Sequence, residues 1–360
     1  MSGFESLFNV RDLGGKAGKD DADVPSGVLL RSAASDLMTP ADVRRLRDEM
    51  HVTCIVDLRS KMVPSAENSL DDVYTPCKPD DAMMKQLIEY DPAGTIKPIP
   101  DDGKHWFLPK TGTCRRVLLK IVSANTIRGF LTHFLMNFPH TFLVLLPLFL
   151  IKKLTSLIIE YNRTKWEIQA DKRDQPPSAL KAKVCAVRSW CHFELVNQFM
   201  RSMGGLAGLY KVFLSYGGDR MCAVLKYITM HLERNGKESL MFHCQSGKDR
   251  TGLIAALLLT ALHVDTEHVI QDYAVSHAFG CGPSHRVVLG IAEELWINKD
   301  IMMRYPLLEE YYGAPEATIR GIHDWMRTEY GSVPEYLDSI GFHEVWRHRL
   351  HIAVMMRESK

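Results

Sequence analysis

The 360-residue sequence predicts an α/β domain: a small, mostly parallel central sheet flanked by helices, with a helical lid or insertion and a helical C-terminal part. Three stretches point to it. Val52–Leu58 (VTCIVDL) is a continuous apolar, β-branched run of the kind a parallel strand needs when both its faces are buried. A helix start precedes it at Thr39-Pro40-Ala41-Asp42. Ser239–His243 (SLMFH) is a second apolar strand, and the almost wholly apolar helix Thr251–Leu262 follows after one short loop.

Taken in order, residues 28–32 (VLLRS) read as a short buried strand. Thr39 caps the next helix, Pro40 fits its first position, Asp42 completes a capping box, and the helix ends near Met50. The strand Val52–Leu58 then closes a strand–helix–strand unit. Residues 91–113, rich in Pro and Gly, read as a loop. No Asp, Glu, Lys or Arg occurs from Gly129 to Ile151, and Lys152 and Lys153 follow at once. Residues 160–190 are polar and contain Pro176-Pro177. The expectation is one domain over 1–360 with an insertion or lid at about 115–200. Leu206–Ser215 and Asp219–Leu232 read as two helices. Asp265 caps the helix after 251–262, with His268 in place of the usual Glu. Ser332 and Glu335 form another capping box, on a helix that stops at Gly341.

Composition excludes several classes. The formal net charge is +1 and no basic run dominates, so no nucleic-acid partner is expected. The 8 cysteines form no CxxC pair, which leaves no zinc or thioredoxin-like motif. No metal and no cofactor are expected. The N-terminal MSGFESLFNVRDLGG lacks the basic start and apolar core of a signal peptide. The expectation is a cytoplasmic protein with reduced thiols, the seven cysteines other than Cys244 being buried or inert.

The chemistry lies in HCQSGKDRTG, residues 243–252. Cys244 falls at the end of a strand and six positions before Arg250. Backbone N–H groups of Gln245, Ser246, Gly247, Lys248, Asp249 and Arg250 can curl toward one point that also faces a helix N-terminus, a concavity suited to a tetrahedral dianion. Helix N-termini and cations favour a thiolate. Gly247 permits a backbone conformation that other residues resist, and Arg250 can hold two phosphate oxygens bidentately. A thiolate beneath a phosphoryl group is aligned for in-line attack, giving a cysteinyl-phosphate that water later hydrolyses. The Thr251 hydroxyl can donate to the departing sulfur, and His243 orients the loop. A nucleotide-binding Walker loop is excluded, because Asp249 stands where that motif needs Ser or Thr.

These residues resemble the atypical bacterial and fungal tyrosine phosphatases that carry HCxxGKDRTG, a group similar to a mycobacterial tyrosine phosphatase of broad specificity. FNVRDLGG at 8–15, LLRS at 29–32, DLRS at 57–60, GGLAGLYKVFL at 204–214 and residues 314–342 resemble further blocks of that family. The resemblance covers roughly 4–60 and 200–345. The family's Glu shortly after DLRS has no clear counterpart, since Glu67 comes later. The resemblance implies a cysteine-phosphatase fold with a helical lid, Cys244 as nucleophile and Arg250 as phosphate clamp. It also implies activity on phosphotyrosine with breadth toward phosphoserine, phosphothreonine and phosphoinositides, to which Lys248 and Asp249 would contribute.

The proton donor stays open. No Trp-Pro-Asp tripeptide occurs. Asp57 lies at a strand's C-terminal end, the ligand side of an open α/β sheet; it reads equally as an ion-pair partner of Arg11 or Arg31. Asp249 serves as acid or as the partner of Lys248. Asp219 reads as an exposed helix-start residue. Arg31 and Arg59 either widen the anion site or neutralise a buried Asp, and Tyr273 reads as core. Residues 129–151 are just long enough to span a membrane, yet they hold Pro139, Pro147 and two histidines. They read as a lid or a buried helix pair broken at Pro139, or as an element (129–153) that docks on a membrane through Lys152, Lys153, Arg163 and Lys165. Three functional readings follow: a phosphotyrosine phosphatase, a phosphoinositide phosphatase at a membrane surface, and a phospho-binding module without turnover.

Overall fold

The computed structural model describes residues 3–17, 23–63, 69–91, 106–108, 113–137, 146–148, 150–157, 179–234, 236, 238–280 and 306–356. Six strands form one sheet: β1 Arg11–Asp12, β2 Leu29–Ser32, β3 Val52–Asp57, β4 Thr75–Cys77, β5 Arg115–Leu118 and β6 Ser239–His243. Their spatial order is β1-β2-β6-β3-β5-β4, and only the β1–β2 pair is antiparallel. This is the expected sheet flanked by helices.

The strand sequences alternate between two cores. Leu240 and Phe242 of β6, Cys54 and Val56 of β3, and Leu29 of β2 pack with the long helix Gly205–Arg234 and the helix Asp249–Ala261. Met241, Ile55 and Leu30 turn to the other face, against Val43, Leu46, Leu70 and Tyr74. Burial on both faces is why these strands are continuously apolar.

Some expected elements differ in the structure. The helix starting at Pro40 is α-helical to Arg44 and then widens into a π turn over Arg45–Glu49, with the Met50 amide donating to the Arg45 carbonyl. Thr39 does cap the Asp42 amide, but Asp42 does not close the box. Its carboxylate accepts from the Glu5 and Ser6 amides instead and ties down the N-terminal segment. Leu206–Ser215 and Asp219–Leu232 are one helix, not two. Gly217 and Gly218 cost helix propensity, yet they admit close packing: a Cβ on Gly218 would lie 2.5 Å from Ile340. Strands β1, β4 and β5 have no long apolar run, and β4 carries Pro76 on a sheet edge.

Within the expected insertion, the described parts are the helix Ala124–Asn137, helical residues in 146–157, and the helix Ala179–Met203. Pro139, Arg163, Lys165 and Glu67 lie outside the described residues. Among the described residues no helix is long and apolar enough to cross a membrane. The capping of Asp265 on Glu267 and of Ser332 on Glu335 is as expected, and Gly341 ends its helix at φ 92°.

Candidate active site

One row of residues runs straight across the parallel sheet: Ser32, His243, Asp57 and Leu118 are successive register partners. They end four strands at one edge, where the loops of an open α/β sheet converge on a ligand. β6 is central, so the residue after it, Cys244, sits at the middle of that edge. Cys244 is buried at the floor, and the chain passes through 245–248 into the helix Asp249–Ala261.

The loop is held by its carbonyls. The Cys244 carbonyl accepts from His243 Nδ1 at 3.0 Å, and the Gln245 carbonyl from the Ala34 amide at 2.9 Å. The Ser246 carbonyl accepts from Asn9 Nδ2 at 2.9 Å, and the Gly247 carbonyl from Arg31 Nη2 at 2.7 Å. Four successive carbonyls of the loop are thus each held by a hydrogen bond. Gly247 has φ 68°, and a Cβ there would stand 2.4 Å from the Ser32 carbonyl oxygen, so only glycine fits.

Each anchor is itself fixed. Asn9 adopts φ 51°, a conformation asparagine tolerates better than most residues. Its amide oxygen accepts from Arg11 Nη1 at 2.6 Å, which leaves its nitrogen for Ser246. Arg31 is fully buried and pairs with Asp272 at 2.5 Å. His243 is fully buried, and burial pushes its pKa down, so it is neutral. Its Nδ1–H is given to the Cys244 carbonyl, and its Nε2 accepts from Ser35 Oγ at 3.1 Å.

The carboxylates of the site differ sharply. Asp57 is fully buried. It accepts from the Arg59 amide at 3.0 Å, from Arg59 Nε at 2.9 Å and Nη2 at 2.7 Å, and from Arg116 at 3.4 Å. Burial pushes its pKa up, but His243, once protonated in acid, and Arg59 outweigh it and hold the carboxyl down to about 2. The expected pairing of Asp57 with Arg11 or Arg31 is therefore not the one formed: both of those bind Asp272. Asp219 is not at a helix start but inside Gly205–Arg234, 3.9 Å from Arg220. Asp249 stays partly exposed in the first helical turn beside the loop. Its carboxylate accepts from Tyr210 Oη at 2.7 Å and faces Lys248 at 3.3 Å. Burial pushes its pKa up, while Lys248 and Tyr210 pull it down further.

Lys248 does not point at the anion concavity. Its ammonium donates to the Tyr311 and Gly313 carbonyls, the second at 2.8 Å, at the C-terminal end of the helix Pro306–Tyr312. Negative partial charge collects there, so this lysine ties the loop to the segment above it. Arg250 lies in the first turn and donates to the Leu58 carbonyl at 3.4 Å. The Thr251 hydroxyl is buried without a hydrogen-bond partner among the described residues. Tyr273 is core, as expected, and its hydroxyl lies 2.9 Å from that of Tyr210. Gln245 meets Arg59 Nη1 at 3.2 Å.

Several contributors were not visible in the sequence. Asn9 lies in FNVRDLGG and Asp272 immediately precedes Tyr273, but nothing local marks either as a loop anchor. Asp36, Arg116, Tyr210 and Ser35 reach the site only through the fold. Of the other cysteines, burial pushes Cys54 up to about 12 and Cys222 up to about 11, and raises Cys77, Cys114 and Cys191. These are poor nucleophiles. Cys281 and the side chain of Cys185 lie outside the description.

The structure thus sets a buried cysteine just past a strand end, on a loop that runs into a helix whose first turn carries Arg250. The sequence model of the tyrosine phosphatase family matches residues 2–91 and 160–355, and the chain belongs to that family. A Cupriavidus necator protein that bears the provisional name of a tyrosine-protein phosphatase is 34% identical over 102 residues, 28% of this chain and 35% of its own. A tyrosine-protein phosphatase of Nostoc commune is 47% identical over 38 residues, 11% of this chain and 13% of its own. The chain thus spans about a third or less of the length of these relatives. The family match leaves out residues 92–159.

Proposed function

We propose that the chain hydrolyses phosphomonoesters through a cysteinyl-phosphate, with protein phosphotyrosine as the first substrate. The observation that supports this most is the set of four hydrogen-bonded loop carbonyls, an arrangement that would leave the loop amides to face one point above Cys244. Gln245, Ser246 and Gly247 supply amides, and Arg250 clamps two of the phosphoryl oxygens. The thiolate of Cys244 attacks phosphorus, the ester P–O bond breaks, and the leaving oxygen takes a proton. Asp249 is the donor best placed by its exposure and its position beside the loop, whereas the Asp57 carboxylate is saturated by arginines. A dianion seated in the loop opposes the Asp249 charge and raises its affinity for the proton. Water then attacks the phosphocysteine, Asp249 takes the water's proton, the S–P bond breaks, and the Thr251 hydroxyl donates to the departing sulfur.

Phosphoserine, phosphothreonine and phosphoinositide esters are open to the same steps. Lys248 gives no support to a headgroup preference, because its ammonium is taken up by the Tyr311 and Gly313 carbonyls. A binding module without turnover would need no nucleophile. The test is hydrolysis of a small aryl phosphate in EDTA by wild type and Cys244→Ser, with capture of the phosphoenzyme by rapid denaturation in alkaline detergent. Turnover in wild type, a silent Cys244→Ser and acid-labile phosphate on Cys244 are expected. A silent wild type, or an active Cys244→Ser, would overturn the reading.

A further inference from the structure

The helical residues 150–157 are built the wrong way round for water. Leu150, Leu154 and Leu157, at i, i+4 and i+7, are 55%, 58% and 54% exposed, whereas Thr155 is buried. Ile151 and Leu146 add to the outward apolar surface. The neighbouring helix Ala179–Met203 continues it with Val187 and with Trp190, 45% exposed. The two helices lie side by side, since Lys152 Nζ is 2.9 Å from His192 Nδ1. Scattered single leucines on a surface need no explanation, but a stripe that displaces a threonine into the interior does.

The charge around the stripe says what covers it. No Asp or Glu occurs in residues 103–159 or 175–193. Lys153 and Lys183 are exposed, and Lys152 and Arg188 partly so. A leucine stripe beside Lys152, Lys153, Lys183 and Arg188, with an indole at its border and Glu194 the first acid further along that helix, is the composition of an element that lies in a membrane interface. Cations there gain from anionic lipid. A second copy of this surface would bring like charges together. Residues 146–157 also fall within the part of the chain that the family match leaves out, so the family gives no reason for the stripe.

We propose that this face, formed by residues 146–148 and 150–157 and the Val187–Trp190 side of the adjacent helix, docks the protein on an anionic phospholipid bilayer without spanning it. The proposal goes beyond the phosphatase reading and does not depend on it, because vesicle binding is read without turnover. The full chain is sedimented with phosphatidylcholine vesicles with and without phosphatidylserine, at low and high salt. Binding to the phosphatidylserine vesicles is expected, weakened by salt, with a blue shift of fluorescence that Trp190→Phe removes. Leu154→Glu/Leu157→Glu should lower partitioning by about tenfold or more and leave aryl phosphate hydrolysis unchanged. Should that variant fold poorly, Lys153→Ala/Lys183→Ala tests the cationic rim and should also lower binding. The proposal is overturned if wild type stays in the supernatant with both vesicles, or if both variants sediment as wild type does. It is equally overturned if wild type is a dimer in solution that Leu154→Glu/Leu157→Glu converts to monomer and that never binds vesicles.

Discussion

Two buried ion clusters flank the loop that follows Cys244, and they are built to opposite balances. On the β2 side, Asp272 alone faces Arg11, Lys16 and Arg31. On the β3 side, Arg59 and Arg116 face Asp36, Asp57 and Asp71. The guanidinium pKa values follow: burial and the charge of Arg31 pull Arg11 down, whereas Asp36 and Asp57 push Arg59 up in spite of burial. The first cluster keeps positive charge in excess and reaches the loop backbone through Arg31. The second is largely consumed internally and meets the loop through the Gln245 side chain and the neighbouring His243. An aspartate on the ligand edge of a sheet is therefore not automatically a proton donor. In the structure Asp57 is taken up by Arg59 and Arg116, while the excess of positive charge lies on the β2 side.

The largest test of this contrast is catalytic. Asp249→Asn should lower turnover of a phosphotyrosine peptide by about 10²–10⁴, while Asp57→Asn keeps its rate within a few-fold; a reversed pattern would make Asp57 the acid. Next comes stability. Asp272→Asn leaves three cations around a neutral group and should cost about 3–5 kcal/mol in urea unfolding. Asp57→Asn should cost less, about 1.5–3 kcal/mol, because Asp36 still holds both arginines.

Acid unfolding sharpens the same comparison. Asp57, Asp249 and Asp272 all have folded pKa values below the unfolded ones. Their contributions are present above the unfolded values, near pH ~4, and fade as pH falls through the folded ones. For Asp57, held at about 2, the contribution is about 2–3 kcal/mol. The buried neutral His243 adds a shallower loss that begins as pH falls below ~6.5. In Asp57→Asn the steep part of the acid limb should shrink, as chemical denaturation at about pH 3 and pH 6 would read. The smallest effect is expected at Asn9. Asn9→Ala removes the bond to the Ser246 carbonyl together with the one accepted from Arg11, and should cost about 1–2 kcal/mol with a raised KM for the aryl phosphate.

Much of the site was legible because its determinants are local. HCQSGKDRTG holds nucleophile, clamp, glycine and helix start within ten residues. Apolar strands and capping residues are likewise short-range signals, so β3, β6 and the capped helices could be read directly. Long-range pairing could not. Nothing in the spacing of Asp57, Arg11 and Arg31 tells that Asp57 takes Arg59 and Arg116 while Arg31 takes Asp272, 241 residues away. Nor does it show that Lys248 is spent on the Tyr311 and Gly313 carbonyls, or that two glycines continue a helix rather than end it.

By itself, then, the sequence determined the α/β class and marked the loop at 243–252 as the candidate site, since both follow from residue type and period over a few turns of chain. Only the tertiary structure decided which carboxylate is neutralised, which carbonyls hold the loop open, and that leucines rather than Thr155 face outward at residues 150–157. Those outcomes depend on which distant groups share one buried space, where desolvation makes the choice of partner decisive.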